Sequence, residues 1–273
     1  SESIISCEEA LILKPDYEEA WYAMGAFYGD VGLFSESIIS CEEALILKPD
    51  YERAWNNMGV SYGEVGLFSE LIISCEEALI LKPDYEKAWY NMGNFYGDVG
   101  LLSESIISYE EALILKPTYK EAWYNMGKFY HDVGLLSESI ISCEEALILN
   151  PTDERAWYVM GNSYGYAGLL SESIISYEEA LILNPTDERA WNNMGVSYGE
   201  VGLFSELIIS CEEALILNPT YKEAWNNALS FAFRYGLNPS HTLAELYWSF
   251  KPQSKLSLWG AILMAMRNDR EFL

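Results

Sequence analysis

Apolar positions along this chain predict two kinds of helix in strict alternation. In the stretch Tyr51–Val65, residues Trp55, Met58, Gly59 and Tyr62 follow at steps of three, one and three. That spacing sets them on one stripe of a 3.6-residue helix. In the stretch Ser69–Leu81, Ile72, Cys75, Ala78 and Leu79 fall on one side, and Ile73, Glu76, Glu77 and Ile80 on the other. The pair then recurs. Trp21, Trp55, Trp89, Trp123, Trp157, Trp191 and Trp225 are 34 residues apart, as are Pro15, Pro49, Pro83, Pro117, Pro151, Pro185 and Pro219. A fixed period of this length predicts stacked helical pairs, each burying its apolar face against its neighbours.

Breakers fall between the stripes. Gly59 costs helix propensity and is expected where the second helix comes close. Gly66 follows the first helix, where a left-handed end residue is favoured. Ser69 is the expected N-cap of the second helix, and Pro83 ends it. Asp16 with Glu19, Thr118 with Glu121 and Thr220 with Glu223 have capping-box spacing for the first helices. Residues Ser1 to Leu13 match the second helix alone, so the array opens on a helix without its upstream partner. The numbered chain starts at Ser1 rather than Met, as a fragment or a processed form would. Six complete repeats follow from Pro15 to Tyr221. After Trp225 the usual Met-Gly becomes Ala228-Leu229 and the repeat dissolves. Two further helices are expected over His241–Phe250 and Ser254–Met266. Their Leu246, Trp248, Phe250, Leu258, Trp259, Ile262 and Met266 would hide the open apolar end of the array.

The motif Trp-x-x-Met-Gly-x-x-Tyr, with an alanine such as Ala78 and a proline such as Pro83 at each period, resembles the tetratricopeptide repeat. The match spans about residues 1–228. The resemblance implies an all-α fold: a right-handed superhelical solenoid of 34-residue helix-turn-helix repeats, here with a C-terminal helical cap. The expected organisation is a half repeat over 1–14, the array over 15–235 and capping helices over 236–273. It also implies a concave groove lined by first helices, a common site for peptides and proteins. The chain departs from the family where a small alanine is usual early in the second helix: Ser37, Leu71, Ser105, Ser139, Ser173 and Leu207 stand there. The aromatic four residues on is usually Cys.

The net charge of −26 changes the picture of partners. Such a surface repels nucleic acid and anionic membrane, which need positive charge to displace counterions. It suits basic proteins or peptides, or serves solubility alone. No apolar run approaches the roughly 18 residues of a membrane span, and no signal segment opens the chain. Cys7, Cys41, Cys75, Cys143 and Cys211 share one slot, which Tyr109 and Tyr177 fill elsewhere. Stacked helices lie roughly 8–10 Å apart, beyond the roughly 7 Å reach of a disulfide. A slot shared with tyrosine reads as packing rather than metal ligation. Five free thiols point to a reducing, cytoplasmic setting. No cofactor or metal is expected.

Opposite the Trp–Met–Gly–Tyr stripe, the second repeat carries Arg53, Asn56, Asn57, Val60 and Glu64. Down the array one slot reads Ala23, Asn57, Asn91, Asn125, Val159, Asn193 and Asn227. Its neighbour reads Tyr22, Asn56, Tyr90, Tyr124, Tyr158, Asn192 and Asn226. An asparagine amide donates to and accepts from a peptide backbone. Asn57, Asn91, Asn125, Asn193 and Asn227, with Tyr90, Tyr124 and Tyr158, are therefore the candidate peptide-binding residues. The ladder is similar to that in the repeat region of O-linked sugar transferases. A solvated polar face, duplicated with the repeats, explains it equally well. Asp30, Glu64, Asp98, Asp132, Tyr166 and Glu200 share a slot in the last helical turn, where the dipole disfavours negative charge by roughly 0.3–1 kcal/mol. Those acids would select basic ligands or keep the chain soluble.

The outer face of the second helix is apolar where the family is usually polar. Ile5, Ile39, Ile73, Ile107, Ile141, Ile175 and Ile209 fill one slot, and Ile12, Ile46, Ile80, Ile114, Ile148, Ile182 and Ile216 the other. Ile39, Ile46, Ile73, Ile80, Ile107, Ile114, Ile141, Ile148, Ile175 and Ile182 are the candidate self-association residues, unless neighbouring helices cover them. Catalysis has little support: His131 and His241 stand far apart in the array, and no phosphate loop, nucleophile set or zinc spacing is present. Three readings result. One is a non-catalytic scaffold, a homo-oligomer assembling into a fibre or tube. Another is a peptide-binding module. A third is the recognition arm of an O-linked glycosyltransferase, since Asn226–Phe250 faintly resembles the join to its catalytic domain. There Leu246-Tyr247 stand in place of the family's histidine and basic residue.

Overall fold

In the computed structural model, which describes residues 2–234, second helices alternate with first helices throughout. The second helices are α1 (Glu2–Leu13), α3 (Phe34–Leu47), α5 (Phe68–Leu81), α7 (Leu102–Leu115), α9 (Leu136–Leu149), α11 (Leu170–Leu183) and α13 (Phe204–Leu217). The first helices are α2 (Glu18–Asp30), α4 (Glu52–Glu64), α6 (Glu86–Asp98), α8 (Lys120–Asp132), α10 (Glu154–Tyr166), α12 (Glu188–Glu200) and α14 (Lys222–Arg234). The described residues contain no strand. The fold is an all-α solenoid of 34-residue helical pairs. The expected ends at Tyr51, Val65 and Ser69 each move by one residue. The helices expected over 241–250 and 254–266, with the cap they would form, lie outside the described residues.

The chain divides into two compact units, Ser1–Phe129 and Tyr130–Leu273. In the first, each helix from α1 to α7 packs on the next, and α4 also touches α2 and α6. In the second, the same holds from α9 to α14, with α12 touching α10 and α14. Within the units, α4 and α12 thus each meet their own second helix and the first helices on either side. One core cluster of the first unit contains Cys41, Ala44, Leu45, Tyr51, Ala54 and Met58. In the second, Leu207, Cys211, Ala214, Leu215, Trp225, Ala228 and Leu229 are packed together. Ala228 and Leu229 replace Met-Gly and are buried, so the break in the motif is a local repacking.

Three devices hold each pair. Trp55 Nε1–H donates to the Pro49 carbonyl at 2.9 Å, and the seven tryptophans spaced 34 residues apart all do the same to the proline six residues before, within 2.8–3.2 Å. This bond explains why tryptophan and proline keep step along the chain. At Gly59 an added Cβ would stand 3.2 Å from Cys75 Sγ and 3.3 Å from the Leu71 carbonyl, so the close approach needs glycine. At the turn, Gly66 has φ +78°. Its N–H reaches the Gly63 carbonyl at 3.0 Å, and the Leu67 N–H reaches Tyr62 at 2.8 Å. These are the two bonds of a Schellman end.

That turn also corrects the expected caps. Leu67, not Ser69, is the N-cap of α5, and no side chain caps it. The residue that closes α4 also starts α5, so Ser69 falls inside the first turn. Asp16 does not cap α2 either, where Tyr17 is the N-cap. At Thr220 the N–H and hydroxyl both donate back to Asn218 Oδ1, at 3.1 and 2.8 Å. Thr118 likewise precedes the Tyr119 carbonyl that opens α8. The side-chain caps are Asp153, accepting from the Arg155 N–H, and Asp187, accepting from the N–H groups of Arg189 and Ala190.

Candidate functional site

The asparagine ladder forms, but its amides are spent inside the chain. Asn91 Nδ2 donates to Asn56 Oδ1 at 2.9 Å. Asn227 Nδ2 donates to Asn192 Oδ1 at 2.9 Å. Asn125 Nδ2 donates to the Tyr90 hydroxyl at 3.3 Å and to Asn94 Oδ1 at 2.8 Å. Asn193 Nδ2 donates to the Tyr158 hydroxyl at 3.2 Å and to Asn162 Oδ1 at 3.0 Å. Each amide reaches back to the first helix of the preceding repeat, so both donors of Asn125 and of Asn193 are used. Asn57 is half-buried in α4. Asn56, placed on the open stripe by helical indexing, is only 4% exposed, because it sits under Asn91.

The tyrosines are likewise engaged. The Tyr90 ring lies 4.6 Å from Tyr119 and 5.9 Å from Tyr109. Tyr158 lies 6.0 Å from Tyr177, with the Arg189 guanidinium 5.3 Å from its centroid. Tyr124 is half-buried in α8. The acids at the helix ends are different: Asp30, Glu64, Asp98, Asp132 and Glu200 are all exposed final residues of first helices.

Four residues outside the expected set organise this face. Tyr109 donates its hydroxyl to Asn94 Oδ1 at 2.7 Å, and Tyr177 donates to Asn162 Oδ1 at 2.6 Å. Burial pushes both phenols well above the ordinary tyrosine range, which keeps them protonated as donors. The sequence signal was a coincidence of slots: asparagine stands at 94 and 162 in the same repeats that carry tyrosine at 109 and 177.

Around Asn162 the frame holds a cleft of about 310 Å³. Asn162, Gly165 and Tyr166 of α10, Leu170 and Tyr177 of α11, and Asn193, Val196, Ser197 and Glu200 of α12 line it. Asn162 Oδ1 accepts both Tyr177 and Asn193, while among the described residues no acceptor faces its Nδ2. Glu200 is exposed at the end of α12.

On the second helices the isoleucines are uncovered. Ile39, Ile46, Ile73, Ile80, Ile107, Ile114, Ile141, Ile148, Ile175 and Ile182 are 55–71% exposed. In each helix the two stand seven residues apart, on one face. Between them runs a glutamate slot tied to the next first helix: Glu42, Glu144 and Glu178 accept from Tyr62, Tyr164 and Tyr198 at 3.4, 3.5 and 3.0 Å.

The cysteines behave as core. Burial pushes the thiols of Cys41, Cys75, Cys143 and Cys211 up to about 12, and Cys7 upward too. His131 Nδ1 lies 3.0 Å from Ser163 Oγ, which lies 2.7 Å from Ser139 Oγ. Burial lowers the His131 pKa. Ser163 is fully buried and its hydroxyl also meets the Val159 carbonyl at 3.0 Å, so this pair is a packing contact. Among the described residues, no helix is long and apolar enough to cross a membrane.

Residues 86–119, 120–153 and 154–187 match the model of the tetratricopeptide repeat. No curated protein matches the chain by sequence. Among solved structures, the chain is similar to YrrB, described as a TPR protein with an unusual peptide-binding site. The two are 19% identical with a TM-score of 0.63, over 68% of this chain and 96% of YrrB. MamA is 25% identical with a TM-score of 0.58, over 61% of this chain and 97% of MamA. PilF of Pseudomonas aeruginosa is 15% identical with a TM-score of 0.68, over 77% and 95%. These likenesses concern the fold.

Proposed function

We propose that this chain, a member of the tetratricopeptide-repeat family, is a non-catalytic interaction scaffold that binds further copies of itself through the isoleucine faces of its second helices. The exposure of those isoleucines carries the reading. Fully burying one is worth roughly 1.5–3 kcal/mol. Burying several in part exceeds the cost of docking two rigid bodies, about 4–15 kcal/mol. The second copy is the favoured occupant because both faces share one 34-residue period, so apolar pairs meet apolar pairs at every register. A contact that does not close gives a fibre or tube rather than a dimer. On this reading residues 1–14 are a half repeat, 15–235 the array and 236–273 a cap.

The glutamates beside the isoleucines oppose association by like-charge repulsion, so added salt promotes it. Sedimentation velocity tests the reading. The chain should form species larger than a monomer, growing with salt. The variant Ile73→Glu, Ile80→Glu, Ile107→Glu, Ile114→Glu should remain helical and monomeric. A parent chain that stays monomeric at high concentration and high salt contradicts the proposal.

A second reading, a peptide-binding module, has the exposed acids Asp30, Glu64, Asp98, Asp132 and Glu200 in its favour. Because Asn125 and Asn193 use both amide donors and Asn91 and Asn227 one each, these four would meet a peptide largely with their carbonyl oxygens, and Asn57 would add its amide, with Tyr90, Tyr124 and Tyr158 as walls. Basic peptides should then bind more tightly than acidic ones, and less so with salt. The transferase-arm reading rests on 226–250, of which 235–250 lie outside the described residues.

A further inference from the structure

The cleft of the second unit plays no part in self-association. We propose that it receives a cationic side chain with an aliphatic stem, a lysine or arginine presented by a partner polypeptide.

Size and walls suit such a group. About 310 Å³ is at the small end of ligand sites and too tight for a folded element. Leu170 and Val196 give apolar contact for a stem, as long basic side chains commonly require. The charge at the cleft is negative from two sources. Tyr166 and Glu200 are the last residues of α10 and α12, so two helix C-termini bring their negative dipole ends to the same cleft. Glu200 adds an exposed carboxylate to the lining. Tyr166, 79% exposed, offers a ring face to a cation. An anion would meet these groups and a chain of net charge −26. One turn before Tyr166 on α10, Asn162 Nδ2 is an N–H donor with no acceptor among the described residues, available to a main-chain carbonyl. That donor favours a peptide-borne cation over a free amine.

The first unit supplies a built-in control. Its matching frame contains Asn94, Gly97, Tyr109 and Asn125, with Phe129 where the cleft has Ser197. The Phe129 ring stacks on Tyr109 at 5.8 Å and occupies the space beside Gly97. Ser197→Phe should therefore plug the cleft with a residue that the same frame already accommodates. Ser173, which loses the Ser197 hydroxyl, keeps its bond to the Gly161 carbonyl at 2.9 Å.

The test uses the full chain and a fluorescein-labelled, end-blocked Gly-Gly-Arg-Gly-Gly peptide, read by anisotropy. The citrulline peptide, which is neutral but nearly the same shape, should bind at least tenfold more weakly. Ser197→Phe and Glu200→Gln should each weaken the arginine peptide at least tenfold, with unchanged circular dichroism. The four-isoleucine variant should bind as the parent does, which separates this result from the fate of the self-association reading. Equal binding of the arginine and citrulline peptides overturns the proposal, as does undiminished binding by Ser197→Phe or no binding at all. N-butylguanidinium matching the peptide's affinity would overturn the polypeptide part and leave a small-cation site.

Discussion

The frame around Asn94 and the frame around Asn162 share their parts, yet one is filled and the other open. In both, a buried tyrosine and an asparagine from the next repeat donate to one amide oxygen, at 2.7 and 2.8 Å in the first and 2.6 and 3.0 Å in the second. In both, a serine of the second helix bonds a glycine carbonyl: Ser105 to Gly93 and Ser173 to Gly161. The difference enters from the next first helix. Phe129 packs into the first frame, where a Cβ at Gly97 would run into its ring. Ser197 leaves the second open, and a Cβ at Gly165 would meet only the side chains of Ser173 and Ser197, at 3.2 Å and beyond. Duplication thus supplies a polar frame, and one side chain decides whether it becomes a surface or a site.

The sharpest way to break this comparison is to exchange the two residues. Phe129→Ser should cost roughly 3–5 kcal/mol, the range for emptying a buried phenylalanine site. Ser197→Phe should change stability by less than about 1.5 kcal/mol, as a side chain that fits existing space does. Urea denaturation of both variants checks this. A cost above about 3 kcal/mol for Ser197→Phe would mean that the frames differ in more than one residue.

A pH-dependent effect compares the tyrosine slots with the cysteine slots. Both need a protonated group in the fold. The folded thiols of Cys41, Cys75, Cys143 and Cys211 are raised from 9.0 to about 12 by burial. The fold holds their protons more tightly than the unfolded chain does. Stability from this source is therefore fully present below pH 9 and is lost as pH rises toward 12. The loss is about 1.4 kcal/mol per pH unit for each thiol in that window. Urea midpoints at pH 7, 9 and 10.5 should be flat and then fall. Midpoints that hold steady to pH 10.5 would mean the thiols are not held in the protonated form.

Much of the fold was legible because one mechanism repeats. Tryptophan, glycine and proline each mark a backbone event, and the period made every event visible six or seven times. The helix caps were misread at Ser69 because the turn at Gly66 is so short that Leu67 serves both helices. The polar face was half-legible. Helical indexing put Asn57, Asn91 and Asn125 on a common stripe, but it could not tell an amide offered to solvent from one bonded to the preceding repeat. Tyr109 and Tyr177 were read only as packing equivalents of cysteine. Their hydroxyls reach past the thiol's length to Asn94 and Asn162, a contact between helices that composition within one slot does not record. The cleft was illegible for the same reason, since it depends on a residue one repeat further on. The outward isoleucines were read correctly in direction, because a seven-residue spacing fixes the face of a helix whatever its neighbours.

Whether those isoleucine faces meet each other is tested most directly by cross-linking in solution. Ile107→Cys, treated with a bis-maleimide whose spacer is about 10 Å, should give covalent dimers and higher species. The same treatment of Asp98→Cys, on an exposed helix end away from that face, should give few. The four buried native thiols are held protonated and should react slowly in both, and Cys7, only half-buried, is replaced by Ser in both variants. Preferential cross-linking through position 107, abolished by adding Ile73→Glu and Ile80→Glu, is the result predicted. Equal yields from positions 98 and 107, or none from 107, would contradict self-association through the second helices.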